Sequence, residues 1–366
     1  MEKYKIAYVV SDLKRVGPTN QTLNIIKNSK YKNESIVITL FSEPKDSMID
    51  EYKSNDIKIE CLNLSRITFI LTGKSVLKNK LQEYGIELVH SYGVKPDCLC
   101  NKVCKSINIK HLITLRNYPK EDILTRMNFI KGKIALHNHL KALLDCKNVV
   151  CCSKTICDKM SKDYPNHDFT YIQNGVDVDK YKKCNKIEKE NLRKKYNIDI
   201  NKKVFICTNS FIPRKRIDET IEGFINSKND NSILLLLGNG MLFDNIKDKY
   251  SNNKNIIFIG KTDKVVDYLQ LSDIFVSSSE SEGLPNSVLE AIACNLPVIL
   301  SDIPQHLEIL DELDVGVSYK LGDIKDLSEC FSQELNNKSN IENSVFTMKN
   351  MSNKYMKYYE RILKDE

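Results

Sequence analysis

The stretch from Ser277 to Asp302, SSSESEGLPNSVLEAIACNLPVILSD, constrains the fold of this chain more than any other segment. A short apolar, β-branched run, Asp273-Ile274-Phe275-Val276, leads into it and ends in serines and acids. Gly283, Leu284 and Pro285 follow, and then an apolar-periodic segment from Ser287 to Cys294 and a second buried-type run, Pro297 to Leu300. This order predicts strand, loop, helix and strand. Pro285 suits a first helical turn, which tolerates a missing N–H, and Gly283 lets the backbone come close to a ligand. The amides at such a helix start, at the carboxyl end of a parallel strand, form a natural anion site. Glu282 stands before the turn, and Glu290 lies about one and a half turns into the helix. A glutamate turned inward is costly unless it meets hydroxyls or a positive group, and the vicinal hydroxyls of a sugar would satisfy it. A solvent-facing Glu290 and a plain loop acid at Glu282 are the other reading.

Glu282 and Glu290, with seven residues between them and Gly283-Leu284-Pro285 after the first, resemble the paired-glutamate signature of the retaining GT-B glycosyltransferases of family 4, the group 1 glycosyltransferases. The likeness continues from the serine-rich strand end through Glu290-Ala291 to Pro297-Val298-Ile299. It implies an α/β chain of two Rossmann-like parallel-sheet domains facing across a cleft, with a C-terminal helix crossing back to the first domain. The expected domains are residues 1–178 on the acceptor side, 179–344 for the nucleotide sugar, and 345–366 for the returning helix.

Composition agrees with that class. A chain of 366 residues is long for one core and comfortable for two. A hydrophobic content of 41% with alternating strand and helix signals fits an α/β protein. No apolar run reaches about 18 residues, the span of a membrane helix. The N-terminal MEKYKIAYVV passes straight into a strand without a separable apolar leader, so the expected location is cytoplasmic. The 12 cysteines sit mostly inside apolar text, including Cys98, Cys100, Cys104, Cys151, Cys152 and Cys294. They form no Cys-x-x-Cys knuckles, so free buried thiols are expected and no metal or other cofactor. The net charge of +7 is carried by the half of the chain before Val178, which suggests an anionic partner there. Nothing interleaves aromatic and basic residues as a nucleic-acid surface does, so no nucleic-acid partner is expected.

In chain order, strand Tyr4–Val10 is followed by a loop with a single glycine, Gly17, and no dinucleotide fingerprint. Further strands read at Ser35–Leu40, Ile57–Leu62, Leu88–His90, His111–Leu115 and Asn148–Cys152. His90 and Arg116 fall at strand ends, where ligand-facing residues collect, although a lone histidine is more often structural. Arg116 and Asn117 open a compact polar segment. Many relatives in the resembled family have a histidine where this chain has Arg116, and an arginine suits a phosphate or an acceptor group. Ile123 to Leu144 reads as a basic, apolar-striped helix pattern interrupted near Gly132, with Arg126, Lys131, Lys133, His137, His139 and Lys141. Either an ordinary amphipathic surface pair or a patch resting on anionic lipid fits it. Asn174-Gly175-Val176-Asp177 resembles the family's domain junction. Asp177-Val178-Asp179 is formally a DxD metal signature, read here as a structural turn. Lys180 to Lys203 reads as a charged linker.

Strand Val204–Thr208 precedes Pro213-Arg214-Lys215-Arg216, three cations at a helix start, which opposes the helix macrodipole unless an anion is bound. The resemblance sets Lys215 against the nucleotide diphosphate. It also calls for an arginine where this chain has Ser210, a role left to Arg214 or Arg216. By the same resemblance Gly238 and Gly260, each at a strand end, border the nucleobase, while read alone each is only a turn. The last helix pattern, Val345 to Lys364, carries Tyr355, Tyr358, Tyr359 and Ile362 on its apolar side.

Taken together, the resemblance implies a retaining, metal-independent glycosyltransferase of hexosyltransferase type that uses a nucleotide-diphosphate sugar, by family habit a UDP-sugar. The acceptor would be a saccharide or lipid-linked saccharide in surface polysaccharide or glycolipid assembly, reached by peripheral contact at the inner membrane face. Glu282, Lys215 and Arg116 would act at the reacting centre. Glu290, Arg214, Arg216, Ser210, Gly283, Leu284, Pro285, Asn286, Gly238, Gly260 and Gly17 would hold the donor, with His90 and Asn117 on the acceptor side. A nucleotide-sugar epimerase of the same fold and a non-catalytic sugar-nucleotide scaffold remain as alternatives.

Overall fold

The computed structural model describes residues 3–126 and 128–364. Met127, inside the basic stretch, and the side chain of Arg126 lie outside the described residues. The chain divides into two compact units, Met1–Gly175 with Met348–Glu366 and Val176–Thr347.

The first unit is a seven-stranded parallel sheet. Its strands are β1 (Ile6–Val10), β2 (Ser35–Thr39), β3 (Lys58–Cys61), β4 (Leu88–Ser91), β5 (Lys110–Leu115), β6 (Asn148–Cys151) and β7 (Phe169–Tyr171), in the order β3-β2-β1-β4-β5-β6-β7. The inner strands read as unbroken apolar runs because both faces are covered, and every crossover must return over the sheet. One face packs Leu77, Leu81, Leu99, Val103 and Cys104 from two helices against Ala7, Val9, Ile36 and Val89. On the other face the C-terminal helix Met348–Lys364 lies beside helix Gly17–Lys27 and buries Met351, Tyr355, Met356, Tyr359 and Ile362 against Tyr8 and Leu88.

Under that helix runs a chain of buried polar contacts. Tyr359 Oη lies 3.1 Å from Tyr8 Oη and 2.7 Å from His90 Nδ1, while His90 Nε2 meets Thr114 Oγ1 at 2.7 Å. Thr114 in turn is 2.9 Å from Tyr355 Oη. His90, expected to face an acceptor, is therefore 2% exposed with both ring nitrogens committed. Burial, reinforced by the positive Arg116, holds its ring well below the ordinary histidine range. It sits at a strand end, but the returning helix covers that end.

The second unit holds six parallel strands: β8 (Lys203–Thr208), β9 (Ser232–Leu237), β10 (Ile256–Gly260), β11 (Ile274–Ser277), β12 (Val298–Ser301) and β13 (Gly316–Tyr319), in the order β10-β9-β8-β11-β12-β13. The charged stretch read as a linker contains helix Lys186–Lys195, which opens with a reciprocal capping box between Asn185 and Glu188. Arg193 of that helix is 6% exposed and fully satisfied. It donates to the carbonyls of Leu271, Ile200 and Lys202 and to Asp273. The basic stretch forms two helices, Pro119–Arg126 and Phe129–Asp145. The break falls before Phe129, and Gly132 lies inside the second helix.

Replacing Tyr359 with phenylalanine strips the buried His90 Nδ1 of its partner, an unmet polar group worth about 1–3 kcal/mol. The denaturation midpoint of Tyr359→Phe should fall accordingly, and an unchanged midpoint would show that the contact contributes nothing.

Candidate active site

The loops that carry the expected donor residues in the second unit leave the carboxyl ends of β8 and β11 side by side. The backbone N–H of Glu280 donates to the Arg214 carbonyl at 2.9 Å, and Thr220 Oγ1 meets Ser278 Oγ at 2.6 Å. Between them Glu282, 8% exposed, takes Lys215 on one carboxylate oxygen and Arg214 on the other, the latter at 3.2 Å. Arg214 also donates to the Ser281 carbonyl at 2.6 Å. Burial alone would raise the Glu282 carboxyl, but Lys215 and then Arg214 outweigh it and hold the group down at about 2. Burial lowers the Lys215 amine from its ordinary value, although Glu282 pulls against that shift. Two cations thus face one carboxylate, all three side chains largely buried, leaving a net positive charge.

Arg216 does not join them. It is the left-handed N-cap residue of helix Ile217–Asn226, φ 46°, without a side-chain cap, and its guanidinium pairs with Glu219 at 2.5 Å and Glu280 at 3.5 Å. Of the two candidates to stand in for the arginine missing at the exposed Ser210, Arg214 is therefore the one on Glu282. Asp218 and Glu219 in the first turn offset the macrodipole conflict that three consecutive cations create.

Behind Glu282 the ends of β11 and β12 are tied together. Ser301 Oγ donates to the Ser279 carbonyl at 2.6 Å, and His306 Nδ1 lies 3.0 Å from both the hydroxyl and the carbonyl of Ser301. Ser301 spends its proton on Ser279, so His306 must carry its own on Nδ1. Burial drops the His306 ring to about 4, despite the opposing charge of Glu282.

Gly283, Leu284 and Pro285 are buried, and the helix that follows, Asn286–Ala293, has no side-chain cap and no acid in its first turn. Glu290, half-buried in this helix, is hydrogen-bonded to Tyr181. Burial raises its carboxyl to about 7, against the pull of Lys180 and Tyr181. Asp177 Oδ1 accepts the backbone N–H groups of Asp179 and Lys180 at 3.2 and 3.1 Å, so the Asp-x-Asp stretch closes a turn and presents Tyr181. Among the described residues no three histidine, cysteine, aspartate or glutamate side chains converge as metal ligands.

Gly238 has φ 129°, and a Cβ there would fall 1.9 Å from the Asn209 carbonyl oxygen, so the β9 loop packs its backbone directly on the β8 loop. Gly260 is left-handed at φ 78° without such crowding. In the first unit Gly17 opens its helix. Arg116 donates through Nη1 to Asn174 Oδ1 at 3.0 Å, and Asn117 lies 3.4 Å from Asp122. Sequence reasoning missed Tyr181 and His306. Tyr181 has no motif of its own, and His306 lies on helix Pro304–Glu312, five residues past the end of β12, where the strand-end rule does not reach.

The model of the family described as Glycosyl transferases group 1 matches residues 188–354. An O-antigen biosynthesis glycosyltransferase, WclY, of Escherichia coli is 29% identical over 378 residues, covering 99% of each chain. A capsular polysaccharide biosynthesis glycosyltransferase, CapH, of Staphylococcus aureus is 26% identical, with 83% of each chain covered. Among solved structures, Anabaena Alr3699/HepE in complex with UDP and glucose superposes with a TM-score of 0.78 at 14% identity, covering 99% of this chain and 100% of that one. The fold is GT-B, and the part of the chain that matches the group 1 glycosyltransferases holds the Glu282 and Glu290 region.

The Glu290 shift has a sign that can be checked. A carboxyl raised from 4.5 unfolded to about 7 folded adds stability below pH 4.5 that is lost as the pH rises through 7. Glu290→Gln should therefore melt higher than wild type at pH 8 without ligand, with the advantage gone by pH 4.5. A mutant that melts lower at pH 8 would contradict this assignment.

Proposed function

We propose that this glycosyltransferase moves a hexose-type sugar, with retention and without a metal, from a nucleotide-diphosphate donor held by the second unit. The observation that carries the reading is the buried Glu282–Lys215–Arg214 cluster beside the uncapped start of helix Asn286–Ala293. As the bond from the anomeric carbon to the diphosphate breaks, its electron pair goes to the leaving phosphate. Lys215, Arg214 and the amides around Gly283 to Asn286 supply the charge that stabilises that oxyanion. Lys215 and Arg214 turn from Glu282 to the diphosphate, and the carboxylate they leave accepts from the sugar hydroxyls. The acceptor oxygen attacks from the face the phosphate leaves, and its proton passes to the departing phosphate oxygen. Glu290, ionised above pH 7, accepts from the ribose diol, while Gly238 and Gly260 flank the base.

UDP is the favoured nucleotide, because a structure of this fold was solved with UDP and glucose. Surface polysaccharide assembly from a saccharide or lipid-linked acceptor is the favoured setting, in line with the named roles of the relatives from Escherichia coli and Staphylococcus aureus. No helix among the described residues is long and apolar enough to cross a membrane. Peripheral contact at the cytoplasmic face is assigned to helix Phe129–Asp145, where Phe129, Ile130 and Ile134 are 70%, 72% and 59% exposed among Lys131 and Lys133. Sedimentation with vesicles containing anionic lipid should carry the wild type down and leave an Ile130→Ser/Ile134→Ser variant in solution. Equal recovery of the two would dismiss the contact.

The donor reading is tested by thermal stabilisation with UDP, GDP and ADP. At about one hundred times Kd a nucleotide adds about 2.7 kcal/mol, several degrees of melting temperature. UDP should give that shift in wild type and lose it in Glu290→Gln, and UDP-sugars should then yield free UDP with an acceptor. A nucleotide that stays attached to a changed sugar would make the protein an epimerase, and no shift with any nucleotide would defeat the reading.

A further inference from the structure

We propose that Arg116 recognises an anionic group, a carboxylate or a phosphate, on the acceptor. The inference rests on the reading that the first unit takes the acceptor.

Arg116 follows the last residue of β5, and its surroundings pin it without satisfying it. Nη1 donates to Asn174 Oδ1 at 3.0 Å, the Arg116 carbonyl accepts from Cys152 Sγ at 3.2 Å, and the guanidinium carbon lies 5.5 Å from the centre of the Tyr92 ring. Tyr92 is itself held by Thr19, 3.2 Å from hydroxyl to hydroxyl. Nε and Nη2 of Arg116 are buried, yet neither has an acceptor within hydrogen-bond distance. No carboxylate of the described residues pairs with the side chain, and the groups that feel its charge are neutral: Tyr52, Tyr92, Tyr355, Tyr359 and His90.

The two unmet donors are the informative ones. Nε–H and Nη2–H lie on one edge of the guanidinium and point the same way, the geometry that two oxygens of a carboxylate or phosphate engage together. Arg193 is an internal comparison. It is the one arginine in the buried class among the described residues, and its Nε, Nη1 and Nη2 all reach carbonyls or Asp273. A guanidinium whose task is structural is satisfied in this protein, whereas Arg116 keeps its two-oxygen edge unmatched behind the half-buried ring of Tyr92. A bidentate oxyanion meets both donors and the uncompensated charge at once, while a lone hydroxyl meets one donor and no charge.

The test is calorimetric titration of the full chain saturated with UDP, so that added anions cannot use the donor's diphosphate site. The probes are glucuronate, inorganic phosphate and, as the neutral control, glucose, against wild type, Arg116→Lys and Arg116→Gln. Glucuronate binding weakened roughly tenfold or more in both variants, with UDP affinity kept, supports an acidic-sugar acceptor. The same result with phosphate supports a phosphate-linked acceptor. Glucose binding as well as the anions, or anion affinity indifferent to Arg116, overturns the proposal. Failure of wild type to bind UDP sinks the donor reading instead. Should the variants not fold, labelling of wild-type Arg116 by phenylglyoxal decides: protection by glucuronate or phosphate but not by glucose supports the proposal, and equal labelling throughout overturns it.

Discussion

Everything in the second unit that bears on chemistry is arranged around the contact of Glu282 with Lys215 and Arg214. Three charges are taken out of water together, and the desolvation that costs is offset only because the carboxylate receives a cation on each oxygen. The cluster is unbalanced by design of its loops: Arg216, next in sequence, is drawn off to Glu219 and Glu280, and it compensates charge at the helix start. What remains over the β11 loop is one positive charge in excess, in a recess where water does little to screen it. A small, highly charged leaving group is the ligand such an excess suits.

The loops stay in place because the strand ends beneath them are cross-tied. Ser301 joins β12 to Ser279 beyond β11, the Glu280 amide joins that loop to Arg214, and Gly238 lets the β9 loop lie on the Asn209 carbonyl with no side chain between. These are backbone-level constraints, so the position of Glu282 is set by the sheet and not by its own rotamer. The first unit uses the same strand-end geometry differently. There the C-terminal helix covers the end of β4 and turns His90 into part of a tyrosine-threonine network, while Arg116, past the end of β5, keeps two unmet donors.

Much of this was legible in the sequence, for identifiable reasons. Strands buried on both faces are written as short unbroken runs of valine, isoleucine and leucine, so eleven of the thirteen were readable to within a residue or two. The edge strand β7, Phe169–Tyr171, gave no readable bounds, and neither did β13, Gly316–Tyr319, an edge strand of mixed polarity. Its glycine is needed because a Cβ would fall 2.0 Å from the Val298 carbonyl oxygen. Helix Lys186–Lys195 escaped because hydrophobic periodicity is weak in so charged a segment, although the Asn185-x-x-Glu188 cap was there to be read. The choice between Arg214 and Arg216, and the fate of His90, depend on contacts across 68 and 269 positions of chain, which no local pattern encodes.

The two glutamates that first drew attention lie in one loop and helix, yet their surroundings push them to opposite ends of the carboxylate range. Two cations hold Glu282 down at about 2, whereas burial, only partly offset by Lys180 and the Tyr181 hydroxyl, raises Glu290 to about 7. A structural role would favour the first environment for both, because a carboxylate that is hard to ionise costs the folded state stability near neutral pH. Divergent environments for paired acids are what a division of labour requires. On the proposed mechanism, Glu282 is held charged and rigid where charge moves during the reaction. On the same proposal Glu290 is half-neutral near pH 7 until a ligand's hydroxyls favour its ionised form, which couples binding to ionisation at that helix.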